Sequence, residues 1–392
     1  MNRQALAVFA ACFMTVFTSY AIRYGYGILL PEMLPALDIT KTEAGVIYTS
    51  FFIAYTVFSP LLGLLGDRYD ARLLIASSVV VLGAGTFLMA YSSSIPQASL
   101  FFALSGIGSA ACWAPVMAVA QRWAGEKRRG RTLAFVDVGS SLGIVATSTA
   151  VPAIVVAFTW QAGWMGLGIL GFAVAVVDFL LIRNPAGGLT ARPGSKRGKT
   201  FDARYADLFR NSRFWLIGLA YLLTGFSIII PFTFLSTYAV QELAFSYGSA
   251  SRLVTVIGVG AVIGKLTLGP LSDRVGRIRV MMLCAVLVAA GTLGMAFGRN
   301  FLLILFTAVF SLGYGALWAM YAASASDYFS RDYAGSIVGL WTVFLGVGSI
   351  VSPILAGWIG DTTGTLSWSF VLAAGGAVVS LLLLVPVWRA GK

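Results

Sequence analysis

Residues 256–277 read VIGVGAVIGKLTLGPLSDRVGR. The stretch begins as a helix suited to lipid, built from small and aliphatic side chains. It ends in a charged loop, Asp273-Arg274-Val275-Gly276-Arg277. An apolar run that stops so abruptly in charge marks a membrane span meeting water. Inside the apolar part sits a cation, Lys265. A lysine at membrane depth costs about 2.5–3.5 kcal/mol on insertion scales, so it is expected to have a partner or a task.

The rest of the chain is of the same kind. Of its 392 residues, 58% are hydrophobic and only 11% are charged, against about 25% charged in soluble domains. A spanning helix needs about 20 mostly apolar residues. Twelve such runs are present: 5–30, 43–65, 72–92, 96–121, 132–157, 163–183, 213–239, 249–271, 279–298, 300–326, 334–358 and 366–388. The first could pass for a signal peptide, but it continues to Leu30 and completes an even count of spans. Residues 184–212 are polar, basic and rich in Gly and Pro. They are expected to form a cytoplasmic linker between an N-terminal six-helix bundle, 1–183, and a C-terminal one, 213–392.

The formal charge is +12, and its placement explains it. With the N-terminus in the cytoplasm, 22 of the 27 basic residues fall on cytoplasmic loops and tails, as the positive-inside rule requires. Lys41, Arg252 and Arg299 fall outside, and Arg23 and Lys265 lie within spans. The charge therefore reports topology, and a nucleic-acid partner is not expected. The predicted location is the cell membrane, multi-pass, with both termini cytoplasmic. The cysteines Cys12, Cys112 and Cys284 all lie in apolar runs, which fits neither a disulfide framework nor a zinc motif. No metal and no cofactor is expected. Histidine is absent, so a proton relay would need carboxylates, tyrosines, a lysine or the substrate itself.

The two halves repeat. GLLGDR at 63–68 returns as GPLSDR at 269–274, and GIG at 106–108 as GYG at 313–315. GRTLAFVDVGSSLG at 130–143 is echoed by GSIVGLWTVFLGVG at 335–348. Three echoes in order at nearly constant offset predict an all-α membrane protein of twelve transmembrane helices in two pseudo-symmetric halves. Such parallel repeats place a solute site between the halves near the bilayer midplane.

Asp67-Arg68 and Asp273-Arg274, each in a Gly-x-Leu-x-Asp-Arg setting after a second or eighth span, resemble the signature loop of the major facilitator superfamily. The resemblance covers the whole chain. It implies a secondary transporter rather than an enzyme, working by alternating access, with Asp67, Arg68, Asp273 and Arg274 as gating residues that lock one conformation across the two halves. The first copy departs from the pattern at Asp70 and Ala71. YAIRYGYGILLPEM (20–33), residues 106–143 and GKLTLGPLSDRVGR (264–277) are similar to the monocarboxylate porters and oxalate/formate exchangers. Those families carry a basic residue four positions before the loop glycine of helix 8, where this chain has Lys265 before Gly269. The helix 1 lysine of monocarboxylate porters best matches Tyr24, next to Arg23. Where animal members have an Asp in helix 8, this chain has Ala261.

Two readings are open for each buried cation. Lys265 could snorkel to the cytoplasmic face, about two helical turns away, or face a water-filled cavity as an anion anchor. Arg23 could reach outer headgroups, or stand in a cavity wall with Tyr20 and Tyr24 beside it. The interior has no Asn or Gln away from helix ends, which disfavours a dense amide network for sugar hydroxyls. It offers the aromatics Trp113, Tyr221, Tyr314 and Trp318 instead, each of which could equally be packing. Asp137 and Asp178 lie near the basic face, where pairing with KRRGR (127–131) or Arg183 is expected; a proton-coupling role stays open for both acids and for Lys265.

The residues thus predict symport of a small organic anion, a monocarboxylate, with a proton. Arg23 and Lys265 would anchor it, and Tyr20, Tyr24, Trp113, Tyr221, Tyr314 and Trp318 would line its path, in a monomer. Alternatives are a drug:proton antiporter, an exchanger of phosphate esters or inorganic anions, and a sensor built on a transporter fold. Helix 5 lacks the Gly-Pro pair of many drug exporters.

Overall fold

The computed structural model describes residues 3–66, 69–124, 129–183, 208–329 and 334–390. Thirteen helices of ten or more residues form twelve spans long and apolar enough to cross a membrane. In chain order they are α1 (Arg3–Leu37), α2 (Lys41–Gly66), α3 (Ala71–Leu88), α4 (Ile95–Ser109), α5 (Ala114–Trp123), α6 (Arg129–Ala157) and α7 (Trp160–Leu181) in the first half. The second half has α8 (Ser212–Gln241), α9 (Tyr247–Val275), α10 (Arg277–Phe297), α11 (Phe301–Tyr328), α12 (Ala334–Thr363) and α13 (Ser367–Arg389). Each predicted span is a helix. In lipid the backbone must satisfy its own hydrogen bonds, and a continuous helix does so. The expected linker falls mostly outside the described residues, as do Asp67 and Arg68.

The fourth span is the exception to continuity, because α4 and α5 are separated by a turn at 110–113. Pro115 has no N–H to give back to the preceding turn, and it sits in the first turn of α5, where none is needed. The break leaves Trp113 with φ −117° and ψ −75°. Its ring is thereby turned into the space between the halves.

The internal repeat is visible in the packing. In the first half α1 packs on α6 and α7, α2 on the α4–α5 span, and α3 on α4 and α7. The second half repeats this as α8 on α12 and α13, α9 on α11, and α10 on α11 and α13. Small residues permit the close approaches. A Cβ on Gly171 would lie 2.7 Å from Gly83 Cα, and one on Gly85 2.6 Å from the Phe101 carbonyl. This is the small-residue packing of membrane helices, where lipid supplies no hydrophobic drive between them.

Three contacts join the halves: α2 with α12, its symmetry counterpart α6 with α9, and α1 with α8. They seal the molecule at the end opposite the basic loops. Gly27 lies directly against the Phe232 backbone carbonyl, and Gly45 against that of Pro353. No side chain fits at either position. The Tyr24 ring stacks on Phe232 at 3.9 Å, and the Thr49 hydroxyl donates to the Ile350 carbonyl at 2.7 Å. At the rim, Asp361 of α12 accepts from the first backbone N–H groups of α2, Lys41 at 3.1 Å and Thr42 at 2.8 Å. A carboxylate at a helix N-terminus meets both unpaired donors and the positive end of the dipole.

Candidate anion site in the central cavity

Between the halves lies a cavity of about 1350 Å³. It is closed where Tyr24 meets Phe232. Toward the basic loops its wall runs out to Gly63, Gly130 and Gly269. The first half contributes Tyr20, Arg23, Tyr24, Tyr55 and Trp113, and the second contributes Tyr221, Lys265, Trp318 and Tyr321. Seven of the eight side chains expected to bind substrate thus share one space. Tyr314 does not reach the wall. It is buried behind it, with its ring 5.0 Å from Phe232 and 6.2 Å from Trp318.

Arg23 is held by rings. Its guanidinium carbon lies 4.5 Å from the centroid of Tyr55, 5.0 Å from Tyr20, 5.3 Å from Phe51 and 5.8 Å from Phe52. The negative faces of these rings offset part of the cost of burying the charge. Nη2 donates to the Ser109 hydroxyl at 3.2 Å, while Nε has no partner. Among the described residues no carboxylate lies within ion-pairing distance of this arginine. The residue is 7% exposed, so the charge is buried, unneutralised and aimed at the cavity.

The sequence carries only an ambiguous signal for the Arg23 cage. Tyr48, Phe51, Phe52 and Tyr55 stand at i, i+3, i+4 and i+7, one face of a helix. The stretch YTSFFIAY reads as ordinary lipid-facing sequence until α2 is known to lie beside α1.

Lys265 is different. Its ammonium sits 2.9 Å from Asp137 Oδ2 across the gap between the halves. It also donates to the Ser140 hydroxyl at 2.8 Å and to the Asp137 carbonyl at 3.1 Å. The lysine neither snorkels nor stands free. Asp137, expected to pair with the cytoplasmic basic run, pairs with Lys265 because α6 and α9 pack directly against each other. Among the described residues three charged ones line the cavity, Arg23, Lys265 and Asp137. Two of them cancel, which leaves a single positive charge among those three.

The other acids also depart from expectation. Asp178 takes no ion pair with Arg183, whose Nη1 donates to the Phe179 and Ile182 carbonyls at 3.2 and 3.1 Å. The Asp178 carboxyl instead meets Thr15 of α1. Asp273 pairs with Arg277 at 2.9 Å, and Arg277 with Asp327 at 2.8 Å, all within the second half. Arg274 lies in the last turn of α9.

A family model described as Major Facilitator Superfamily matches residues 12–251 and 219–391. The chain is 26% identical to a hexuronate transporter of Bacillus subtilis (strain 168), over 99% of this chain and 96% of the relative. It is 23% identical to monocarboxylate transporter 12-B of Danio rerio, over 97% of this chain and 86% of the relative. In fold it is similar to a solved bacterial homolog of the human lysosomal transporter Spinster, described as inward-facing and unoccupied. The TM-score is 0.79 at 14% identity, over 98% of this chain and 95% of that one.

Proposed function

The chain belongs to the Major Facilitator Superfamily, and from that premise we propose that it carries a small organic monoanion, a monocarboxylate, together with a proton. It is a membrane transporter and not an enzyme. The observation that carries the proposal is the uncompensated charge of Arg23 in an aromatic cavity where, among the described residues, the other two charges cancel. A carboxylate arriving there forms charge-assisted bonds with the guanidinium, the strongest hydrogen bonds available. It takes the cavity from one net positive charge to neutral. A phosphate ester would leave an excess negative charge in a low-dielectric space, where like charges interact strongly. Hexuronates and monocarboxylates, the solutes named for two relatives, are both acids with one carboxylate. The aromatic walls suit the body of such an acid, and phenol hydroxyls on Tyr20, Tyr55 and Tyr221 can meet any hydroxyl groups it carries.

The reading ranks Arg23 above Lys265 as the anchor. Lys265 must first leave Asp137 before it can serve an anion.

The test is uptake into proteoliposomes of labelled lactate and glucuronate, with unlabelled glucose 6-phosphate as a competitor, against empty liposomes. Saturable uptake of one or both acids, faster with an acidic exterior and weakly inhibited by the phosphate ester, is the expected result. Uptake that ignores the proton gradient but accelerates with anion loaded inside identifies an exchanger. Strong competition by the phosphate ester removes the monoanion reading.

We further propose that the basic-loop end faces the cytoplasm, so the cavity is open inward here. A single cysteine at Ser93, exposed between α3 and α4, is expected to react with an impermeant thiol reagent on intact cells. One at Ser195, outside the described residues, is expected to be spared. The reverse pattern overturns the orientation.

A further inference from the structure

Asp178 is the one acid within the described residues that is wholly buried, with 0% exposure. It lies on α7, inside the first half and away from the cavity wall. Both carboxyl oxygens contact the Thr15 hydroxyl, at 2.9 and 2.8 Å, and among the described residues no other hydrogen bond reaches them. The same hydroxyl is 2.9 Å from the Ala11 carbonyl. A hydroxyl has one hydrogen. If Thr15 gives it to Ala11, in the usual back-bond of a helical threonine, it can only accept from Asp178. The carboxyl then supplies the proton. An ionised carboxylate at this depth, with at most one donor and no cation, would be far more costly than the neutral acid.

From Asp178 a polar stripe runs along α1 to the cavity. Thr15, Ser19 and Arg23 follow at intervals of four and share one helix face. The Ser19 hydroxyl bonds that of Ser109 at 2.8 Å, and Ser109 accepts from Arg23 at 3.2 Å. The other groups around the acid do not neutralise it. Cys12 of α1 and Cys112 of the 110–113 turn are titratable side chains near it. Arg72 of α3 stacks on the ring of the neighbouring Phe179 at 3.8 Å, and Arg183 bonds carbonyls of its own segment. No cation of α1, α3, α4, α5 or α6 forms an ion pair with Asp178 among the described residues.

We propose that Asp178 carries the coupled proton and acts on the bound anion through the charge of Arg23. The proposal rests on the monoanion reading above and names its coupling group. When Asp178 is protonated, Arg23 presents its full charge to the cavity. When the proton leaves, a negative charge appears about 12 Å away along α1. At an effective dielectric of about 20 that charge lowers the affinity of Arg23 for an anion about tenfold. The coupling is reciprocal, so a bound anion raises the proton affinity of Asp178 by the same factor. Anion and proton therefore favour each other's presence, as symport requires. The step is a proton transfer from hydronium on the acidic side to a carboxylate oxygen, which leaves water, and it needs no other reactant.

The experiment measures anion affinity against pH for the purified full chain, with lactate and glucuronate as the probes, in wild type and Asp178→Asn. The asparagine amide keeps a donor toward Thr15 and mimics the protonated acid. In wild type the dissociation constant is expected to rise about tenfold from acid to alkaline conditions. In Asp178→Asn it is expected to stay at the acid-side value throughout. Proteoliposomes of the variant should exchange labelled for unlabelled anion yet fail to concentrate it under a proton gradient. A variant that keeps the wild-type pH slope and concentrates the anion overturns the proposal. Should the variant fold poorly, wild type decides alone: in weak buffer, anion binding near the titration midpoint is expected to draw protons from solution, and zero net uptake overturns it. Wild type that binds a probe with no pH dependence sinks this inference and leaves Arg23 as the anchor. Wild type that binds neither probe sinks the monoanion reading as well.

Discussion

Arg23→Gln is expected to abolish measurable binding of a monocarboxylate while leaving a folded protein. Removing one partner of a desolvated charge pair typically costs about 2–5 kcal/mol, a loss of about 30-fold to several thousand-fold in affinity. Here the upper part of that range applies, because among the described residues Arg23 is the only cavity cation without an acid beside it. The fold should survive for the same reason. No buried carboxylate is orphaned when the guanidinium goes, and glutamine can keep a hydrogen bond to Ser109. The ring contacts with Tyr55 and Tyr20 weaken, a loss of about 1–2 kcal/mol of packing at most. Arg23→Lys should retain partial affinity, since the charge remains but the fork that fits a carboxylate does not. The measurement is thermal stabilisation of purified protein by added acid, which reports ligand binding to the native state. If Arg23→Gln is stabilised as strongly as wild type, the anion sits elsewhere.

The second large effect comes from breaking the pair between the halves. Lys265→Gln leaves the Asp137 carboxylate facing the cavity with no cation, and the net charge there falls from +1 to zero. Monocarboxylate affinity is expected to fall at least tenfold, and the empty protein to be less stable. Breaking a fully buried pair costs about 3–5 kcal/mol. The two side chains here are 12% and 26% exposed, so the lower end of that range is the ceiling. Asp137→Asn does the opposite. It frees Lys265 and raises the cavity charge to +2, so a dianion such as a phosphate ester should bind better than it does to wild type. The double variant Lys265→Gln, Asp137→Asn restores +1 and should recover most of the monocarboxylate affinity. That recovery makes the cycle strongly non-additive, as for any two residues in contact. Additive effects, or a double variant as poor as Lys265→Gln, would mean that Lys265 meets the substrate directly and that Asp137 is incidental.

Together these variants separate three roles that composition alone assigns indifferently to any buried charge. On the proposed reading Arg23 holds the anion, the Lys265–Asp137 pair sets the charge of the cavity and ties α6 to α9, and Asp178 answers to pH. Each leaves a different signature: loss of binding, altered preference between monoanion and dianion, and a flattened pH profile.

The sequence by itself determined the fold. Twelve apolar runs, the side bearing the basic loops and the repeat from GLLGDR to GPLSDR are one-dimensional signals. Bilayer thickness and backbone hydrogen bonding leave a long apolar run no alternative to a helix. It also picked out Arg23 and Lys265, because a cation inside an apolar run is visible without knowing its neighbours. What it could not show was which groups those cations meet. Asp137 is 128 residues from Lys265 and Asp178 is 163 from Thr15, and nothing local to either acid distinguishes a partner in the next loop from one on another helix. The sequence therefore placed both acids with the nearest basic run, and it left Arg23 and Lys265 both as anchors. The aromatic cage on α2 was hidden for the same reason, since tyrosine and phenylalanine serve lipid, core and cation equally well. Only the packing of α6 on α9 and of α2 beside α1 decided that one cation is neutralised and the other left free. Charge interactions depend on separation in space and on burial, and the tertiary fold sets both.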